Sequence, residues 1–378
     1  MARIWAITKD PGGHAAVWPV SEMLTYKHSV LNISEGAAVE IMNKPPNHLR
    51  LYLGAWDPQD VLNLVDTGQL NLPDVFVTSA CSGGGVGMYL IPKMKARGVP
   101  TVVVTDFWAG AQVKDFNPSK FWPSAICVQD ELAKKFLMRA WRGYPENNVH
   151  ITGQPAFDEY ASLKFDKQRI LKQVKRQIPD FKDIPTVFFA GQLQGSTEAL
   201  SSLIRALNVV PNPINLVLSK HPRFHTHSPE ENDPWDKACR EFHNGYLVYT
   251  ELISLKSASE KISSDEWVCI SDVVVSMHST LLATAGYFRK ECVSILFPDV
   301  EKRDLGKWGL PYEHLDTAVV CRTHNQVAEA LRDALRGGLG LMANQKKHFA
   351  LPGDSTERVV RIVEKLIEGG PLICENYL

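Results

Sequence analysis

Almost no net charge accumulates on this chain. Its 378 residues carry 41 Lys and Arg against 42 Asp and Glu, a formal charge of −1 at pH 7, with both signs scattered along the sequence. A general nucleic-acid binder needs a basic face to hold phosphates, so no nucleic-acid partner is expected. A local basic cluster serving one small anionic ligand is still allowed. Long apolar runs are also missing: no stretch approaches the ~20 residues needed to cross a bilayer. The N-terminus, MARIWAITKDPGG, enters a strand and a loop directly, without the apolar core of a signal peptide. A cytoplasmic protein with no membrane span is expected, and peripheral association is left open. Cysteine is sparse and dispersed. The seven (Cys81, Cys127, Cys239, Cys269, Cys292, Cys321, Cys374) form no CxxC or Cys/His zinc spacing, and several sit inside apolar runs. They read as reduced, buried thiols. No DxD stands in a strand-end loop, and the histidines lack HExxH spacing, so neither a metal nor a cofactor is expected. Internal repeats and low-complexity tracts are absent as well.

What is present has a clear rhythm. Apolar residues make up 44% and charged residues 22%, globular values, and the length is too great for one ordinary core. Short apolar runs end in Gly/Ser/Asp/Pro loops and are followed by amphipathic segments, the pattern of βα units on a parallel sheet. In the first half the strands are Arg3–Thr8, Asp74–Thr78, Thr101–Thr105, Ala125–Gln129 and Val149–Thr152, with Val39–Met42 and Leu49–Leu53 weaker candidates. In the second they are Thr186–Phe189, Asn215–Leu218, Tyr246–Tyr249, Asp272–Ser276 and Cys292–Phe297. Residues 161–185 are charged and partly helical in pattern, and read as a connector. The expected organisation is an N-terminal domain over 1–160, the connector, a C-terminal domain over 186–353, and a tail helix in 354–378 opened by the N-cap pair Asp354-Ser355. The predicted class is α/β, with two Rossmann-like domains facing an interdomain cleft and ligands at the carboxyl ends of the strands.

Several strand-end loops carry chemistry. Lys220-His221-Pro222-Arg223 closes one strand with three donors suited to a phosphate, and charge-assisted bonds to phosphate are about twice as strong as neutral ones. The bland alternative is a solvated basic turn. Ser276, His278, Ser279 and Thr280 combine hydroxyls with a helix start, an anion site in outline, although plain N-capping by Ser279 or Thr280 needs no ligand. Gly191, Gln192, Gly195 and Ser196 form a loop of mostly small residues that allows close backbone approach. On the N-terminal side, Asp10, Gly12, Gly13 and His14 occupy the first βα loop, where Asp10 or His14 is a candidate base; helix capping by Asp10 is the competing explanation. Ser82, Gly83 and Gly84 open a helix after a strand. Asp106 ends a neighbouring strand beside Phe107 and Trp108, a second base candidate next to aromatics that either stack on a sugar or fill the core.

These residues resemble a known superfamily. Val149-His-Ile-Thr-Gly-Gln-Pro-Ala-Phe-Asp158 is similar to the hinge segment "tG-x-P-x-x-D" shared by GT-B glycosyltransferases and UDP-N-acetylglucosamine 2-epimerases. Ser271-Asp-Val-Val-Val-Ser-Met-His-Ser-Thr280 resembles their C-terminal strand and loop. Lys220-His221-Pro222-Arg223 is similar to the "HP" motif of bacterial sialyl- and Kdo-type transferases, with Ser276, Ser279 and Thr280 where the paired "S" motif belongs. The resemblance implies a GT-B enzyme whose tail helix returns to the N-terminal domain. It implies a nucleotide-activated sugar as co-substrate, held by Gly191–Ser196, His221 and Ser279/Thr280, with His221 at the donor phosphate. The favoured donor is a CMP-linked nonulosonic-type sugar, with UDP- and CDP-linked donors as rivals. A glycan, lipid-linked or small-molecule acceptor would face the N-terminal loops. Two positions depart from the pattern. Leu281-Leu-Ala-Thr-Ala285 stands where GT-B enzymes usually place a ribose-gripping Glu, and Gly191-Gln-Leu-Gln-Gly-Ser196 replaces the epimerases' HRREN-like segment. Metal-independent glycosyl transfer is therefore expected first, a 2-epimerase second. A non-catalytic nucleotide- or sugar-binding protein of the same fold is a third reading.

Overall fold

The structure, a computed structural model, describes residues 1–34, 49–52, 58–80, 85–108, 122–162, 165–221, 234–250, 261–351 and 353–370. Strands alternate with helices along the chain and pair in parallel. β1 (Arg3–Thr8), β2 (Ser29–Ser34), β3 (Leu49–Tyr52), β4 (Val75–Ser79), β5 (Thr101–Val104), β6 (Ala125–Val128) and β7 (Val149–Ile151) make a seven-stranded sheet in the order β3-β2-β1-β4-β5-β6-β7. β8 (Thr186–Ala190), β9 (Ile214–Ser219), β10 (Gly245–Tyr249), β11 (Val273–Ser276), β12 (Glu291–Ile295) and β13 (Val319–Cys321) make a six-stranded sheet in the order β10-β9-β8-β11-β12-β13. Both are doubly wound. The chain has two Rossmann-like α/β domains. They form two compact units, Met1–Glu159 with Pro352–Leu378, and Tyr160–Leu351.

The central strands are apolar on both faces because helices cover both faces. β4, β8, β9 and β11 are buried along their whole length. The patterning did not predict two strands. β2 carries Asn32 and Ser34, polar residues in a buried strand; the Ser21 hydroxyl donates to Asn32 Oδ1 at 2.5 Å, which satisfies the amide oxygen from the covering helix. β13 has only three residues, too short to leave a period. The candidate strand Val39–Met42 lies outside the described residues.

Helix Pro11–Leu24 begins with proline at its first turn, where the missing N–H costs no hydrogen bond. Asp10 caps it, accepting the Gly13 N–H at 2.7 Å. Its Ala16, Val17 and Val20 join Ile4, Val77 and Val102 in the core of the first unit. The tail helix Ser355–Ile367 closes the same core with Val359 and Val363.

That tail helix corrects one expectation. Asp354 does not cap it: its backbone is left-handed, at φ 49°, and its side chain makes no capping bond. The capping carboxylate is Asp158, at the end of the segment Val149–Asp158. Its Oδ1 accepts the Ser355 N–H at 3.1 Å, and its Oδ2 accepts the Thr356 N–H and the Thr356 hydroxyl, both at 2.7 Å. Gly153 completes the joint. Its φ of +81° disfavours other residues, and a Cβ there would stand 2.3 Å from Ser355 Oγ.

Candidate functional site

In an open α/β sheet, ligands bind beyond the carboxyl ends of the strands where the strand order reverses. The first sheet reverses between β1 and β4, and the second between β8 and β11. The loops singled out above leave from these points, so each unit has a candidate site of its own.

In the first unit, the loop after β1 contributes Lys9 and Asp10, and Asp106 follows β5. Asp106 faces Gly12 closely enough that a Cβ on Gly12 would lie 2.7 Å from Asp106 Oδ2. The glycine leaves room for the carboxylate beside the first helical turn. Burial pushes the Asp106 carboxyl up, the nearby Asp10 charge adds to the push, and it titrates at about 7 rather than 3.8. A carboxylate partly exposed and titrating near neutrality suits a general base. Sequence reasoning did not find the groups that hold it. The Gln154 amide donates to both Thr105 O (3.1 Å) and Asp106 O (3.0 Å), and the Gln129 amide donates to Thr105 O at 2.8 Å. Side-chain amides from the ends of β6 and β7 thus grip the end of β5.

Two residues in this unit have other duties. His14 is buried in the first turn of its helix, its ring 5.3 Å from that of Trp18 and its Nδ1 3.4 Å from Thr8 Oγ1. Trp108, expected to offer a face to a sugar, is 3% exposed, with its indole N–H donating to Asp130 Oδ2 at 2.7 Å. It fastens the loop after β5 to the N-cap of helix Glu131–Ala140. Ser82, Gly83 and Gly84 lie outside the described residues.

In the second unit, Ala190 pairs with Ser219 on one side and Ser276 on the other. The loops Gly191–Gly195, Lys220-His221 and Met277–Thr280 therefore leave three adjacent strands at one level. Lys220 Nζ stands over the rings of Tyr249 (5.8 Å) and Trp235 (6.0 Å), which hold the ammonium by cation–π attraction at the strand end. His221 follows it, half-buried. Helix Ser196–Leu207 starts at Gly195 with no side-chain cap, which leaves the positive end of its dipole for an anion. Pro222 and Arg223 lie outside the described residues.

The hydroxyls divide between structure and site. Ser276 is fully buried and donates to Ala190 O at 2.7 Å, so it stitches β11 to β8 and does not face a ligand. Ser196 bonds to both the N–H and the carbonyl of Gln192, closing its own loop. Gly191 packs against the buried ring of Trp235. Ser279 Oγ accepts the Leu281 N–H at 3.2 Å, while Thr280 is exposed and makes no capping bond. His278 Nε2 lies 3.0 Å from Asp304 Oδ2. Burial alone would raise the Asp304 pKa, but hydrogen bonds from His278 and Arg303 hold it well below the usual carboxylate range. No sequence motif marks Asp304; it arrives from the segment after β12. Among the described residues, no group of three or more His, Cys, Asp or Glu side chains is placed to hold one metal ion, and no helix is long and apolar enough to cross a membrane.

No protein-family model matches the chain, and no match was found among curated proteins. Solved structures do match. The complex of MnaA from S. aureus with UDP superposes with a TM-score of 0.66 at 13% identity, covering 98% of this chain and 99% of the other. UDP-GlcNAc 2-epimerase from Neisseria meningitidis bound to UDP-GlcNAc gives 0.63 at 13% identity, over 96% and 100%. The wall teichoic acid polymerase TagF gives 0.59 at 12% identity, over 96% and 89%. What the chain shares with these structures is a fold of two Rossmann-like α/β domains. At these identities the likeness establishes the fold, and the chemistry rests on this chain's own residues.

Proposed function

We propose that this protein is a GT-B enzyme that binds a nucleotide-activated sugar at the switch point of its second sheet and transfers the sugar to an acceptor hydroxyl. The observation that carries this reading is the convergence of Gly191–Ser196, Lys220-His221 and His278–Thr280 on three adjacent strand ends. Lys220 and the uncapped start of helix Ser196–Leu207 meet the charge of the leaving phosphate. His221 supplies a hydrogen bond or a proton there, so the reaction runs without a bound ion. In the first unit, Asp106 is the candidate base for an acceptor hydroxyl, its proton affinity raised first by burial and then by the Asp10 charge. UDP- and CDP-linked donors now rank ahead of the CMP-linked nonulosonic donor implied by the paired motifs. Solved structures that the chain resembles include complexes with UDP, UDP-GlcNAc and CDPG.

The 2-epimerase reading is favoured by a different observation: epimerases give TM-scores of 0.62 to 0.66, against 0.59 to 0.61 for TagF. The two readings separate in one assay. Incubation with UDP-GlcNAc and no acceptor yields a sugar inverted at C2, free or still UDP-linked, only from an epimerase; a transferase leaves the donor intact or frees GlcNAc of unchanged configuration.

Nucleotide binding is tested by thermal-shift titration with CMP, CDP, UDP, GDP and dTDP. A nucleotide at 100 times its dissociation constant stabilises the folded state by about 2.7 kcal/mol. The expected result is a saturable shift with one nucleotide that Lys220→Ala reduces at least tenfold in affinity. No shift with any of the five in the wild type would refute the proposal.

A further inference from the structure

The second unit has a cavity at the opposite edge of its sheet, beyond the amino ends of β8, β11 and β12. Its volume is about 610 Å³. Phe181, Ile184, Pro185 and Leu335 supply apolar wall, while four cationic and three anionic side chains face the space. Most of these charges are already engaged. Asp183 pairs with Lys175 at 2.6 Å, and Asp272 accepts the Thr186 N–H at 2.9 Å. Arg289 donates to the carbonyls of Gly286, Gln345 and Phe349. Lys182 Nζ lies over the Tyr246 ring at 5.5 Å.

Three groups are left over. Among the described residues, neither Lys167 nor Lys290 has a carboxylate within ion-pair distance. Burial pushes the Lys290 pKa down, and Lys167 pushes it further. Beside them, Glu291 Oε2 is buried and, among the described residues, has no hydrogen-bond partner; burial pushes its carboxyl up, and a hydrogen bond from the Leu339 backbone N–H offsets part of that. The half-buried Lys290 ammonium and the orphaned Glu291 oxygen are each costly as they stand, and the exposed Lys167 adds a second positive charge at the rim of the cavity. One ligand satisfies all three if it carries an anionic group for the lysines and a hydroxyl donor for the glutamate. The volume lies in the range of small-molecule sites and exceeds what a lone phosphate fills.

We propose that this cavity binds a small hydroxylated organic anion, of the size and chemistry of a sugar phosphate, with the anionic group between Lys167 and Lys290 and a hydroxyl on Glu291. This site lies at the edge of the sheet opposite to Lys220 and His221, and it stands or falls independently of the nucleotide reading.

The experiment is isothermal titration of the full-length protein with glucose 6-phosphate, inorganic phosphate and glucose. The proteins compared are the wild type, Lys167→Met, Lys290→Met and Lys220→Ala. Methionine keeps the apolar stem and removes only the ammonium, and Lys167 is exposed, so that variant folds whatever happens at Lys290. The expected result is saturable binding of glucose 6-phosphate, weakened at least tenfold in Lys167→Met and in Lys290→Met and unchanged in Lys220→Ala. Inorganic phosphate should bind more weakly and glucose not at all. No binding to the wild type overturns the proposal. So does binding that both methionine variants retain, or that Lys220→Ala abolishes. Equal affinity for phosphate and glucose 6-phosphate overturns the role given to Glu291.

Discussion

Asp106→Asn is expected to abolish turnover and, above neutral pH, to make the folded protein more stable. Losing a general base costs on the order of 10²–10⁴ in rate. The stability change has the opposite sign because the native fold disfavours the ionised carboxylate. Burial and Asp10 raise its pKa from 3.8 to about 7. A carboxyl whose folded pKa is raised favours the folded state while protonated, and that advantage is lost as pH rises through the folded value. The shift corresponds to about 4 kcal/mol at most, and partial exposure of Asp106 brings the expected gain nearer 2 kcal/mol. Below pH 4 both proteins carry a neutral side chain and the difference should vanish; it should grow between pH 4 and 7 and level off above. Denaturant unfolding of both proteins at pH 4, 6 and 8.5 measures this. An Asn variant less stable than wild type at pH 8.5 would show that Asp106 is a structural carboxylate. The assignment as base would then fail. The wild-type rate should fall below pH 7 as Asp106 takes up a proton.

Asp158→Ala should loosen the tail helix. The change leaves the Ser355 and Thr356 N–H groups and the Thr356 hydroxyl without their carboxylate acceptor. Removing an N-cap costs about 1–2 kcal/mol, and bonds to a charged acceptor lie at the upper end of hydrogen-bond values. A loss of about 2–3 kcal/mol is expected, with Asp158→Asn recovering part of it, because one amide oxygen can still accept. Hydrogen exchange should show the loss concentrated in Ser355–Ile367, since Val359 and Val363 depend on that helix to reach the core. Uniform destabilisation with unchanged protection of the tail would contradict this account. The aspartate at the end of Val149–Asp158 then has a physical explanation in this chain. With Gly153 it builds the seat of a helix that begins almost 200 residues later.

The contrast between Asp354 and Asp158 shows where sequence reasoning stopped. Asp354-Ser355 has the local form of a cap, and local form was all that could be read. The carboxylate that does the capping is remote, and distance along the chain hides it. Ser276 and Trp108 fail in a related way. A hydroxyl at a strand end and a tryptophan beside an aspartate have the composition of a binding site. Whether each faces a ligand or a neighbouring carbonyl or carboxylate depends on one strand's partner or one loop's turn. The Gln154 and Gln129 grips on β5, and Asp304 beside His278, come from other strands or from beyond them and carry no motif.

The sequence by itself determined the class of fold, two Rossmann-like α/β domains, and where most of their strands lie along the chain. Buried parallel strands must be apolar and their crossovers amphipathic, and both properties are written residue by residue. It also located the strand-end loops, because turns need Gly, Pro, Ser and Asp wherever the fold is placed. Only the tertiary structure decided which of those loops stand together. The reversal of strand order at β1/β4 and β8/β11 is a property of pairing, which leaves no local trace. The near-neutral Asp106 and the gathering of Lys167, Lys290 and Glu291 around one cavity were likewise invisible beforehand. Desolvation and charge proximity arise from atoms far apart in the chain and close in space.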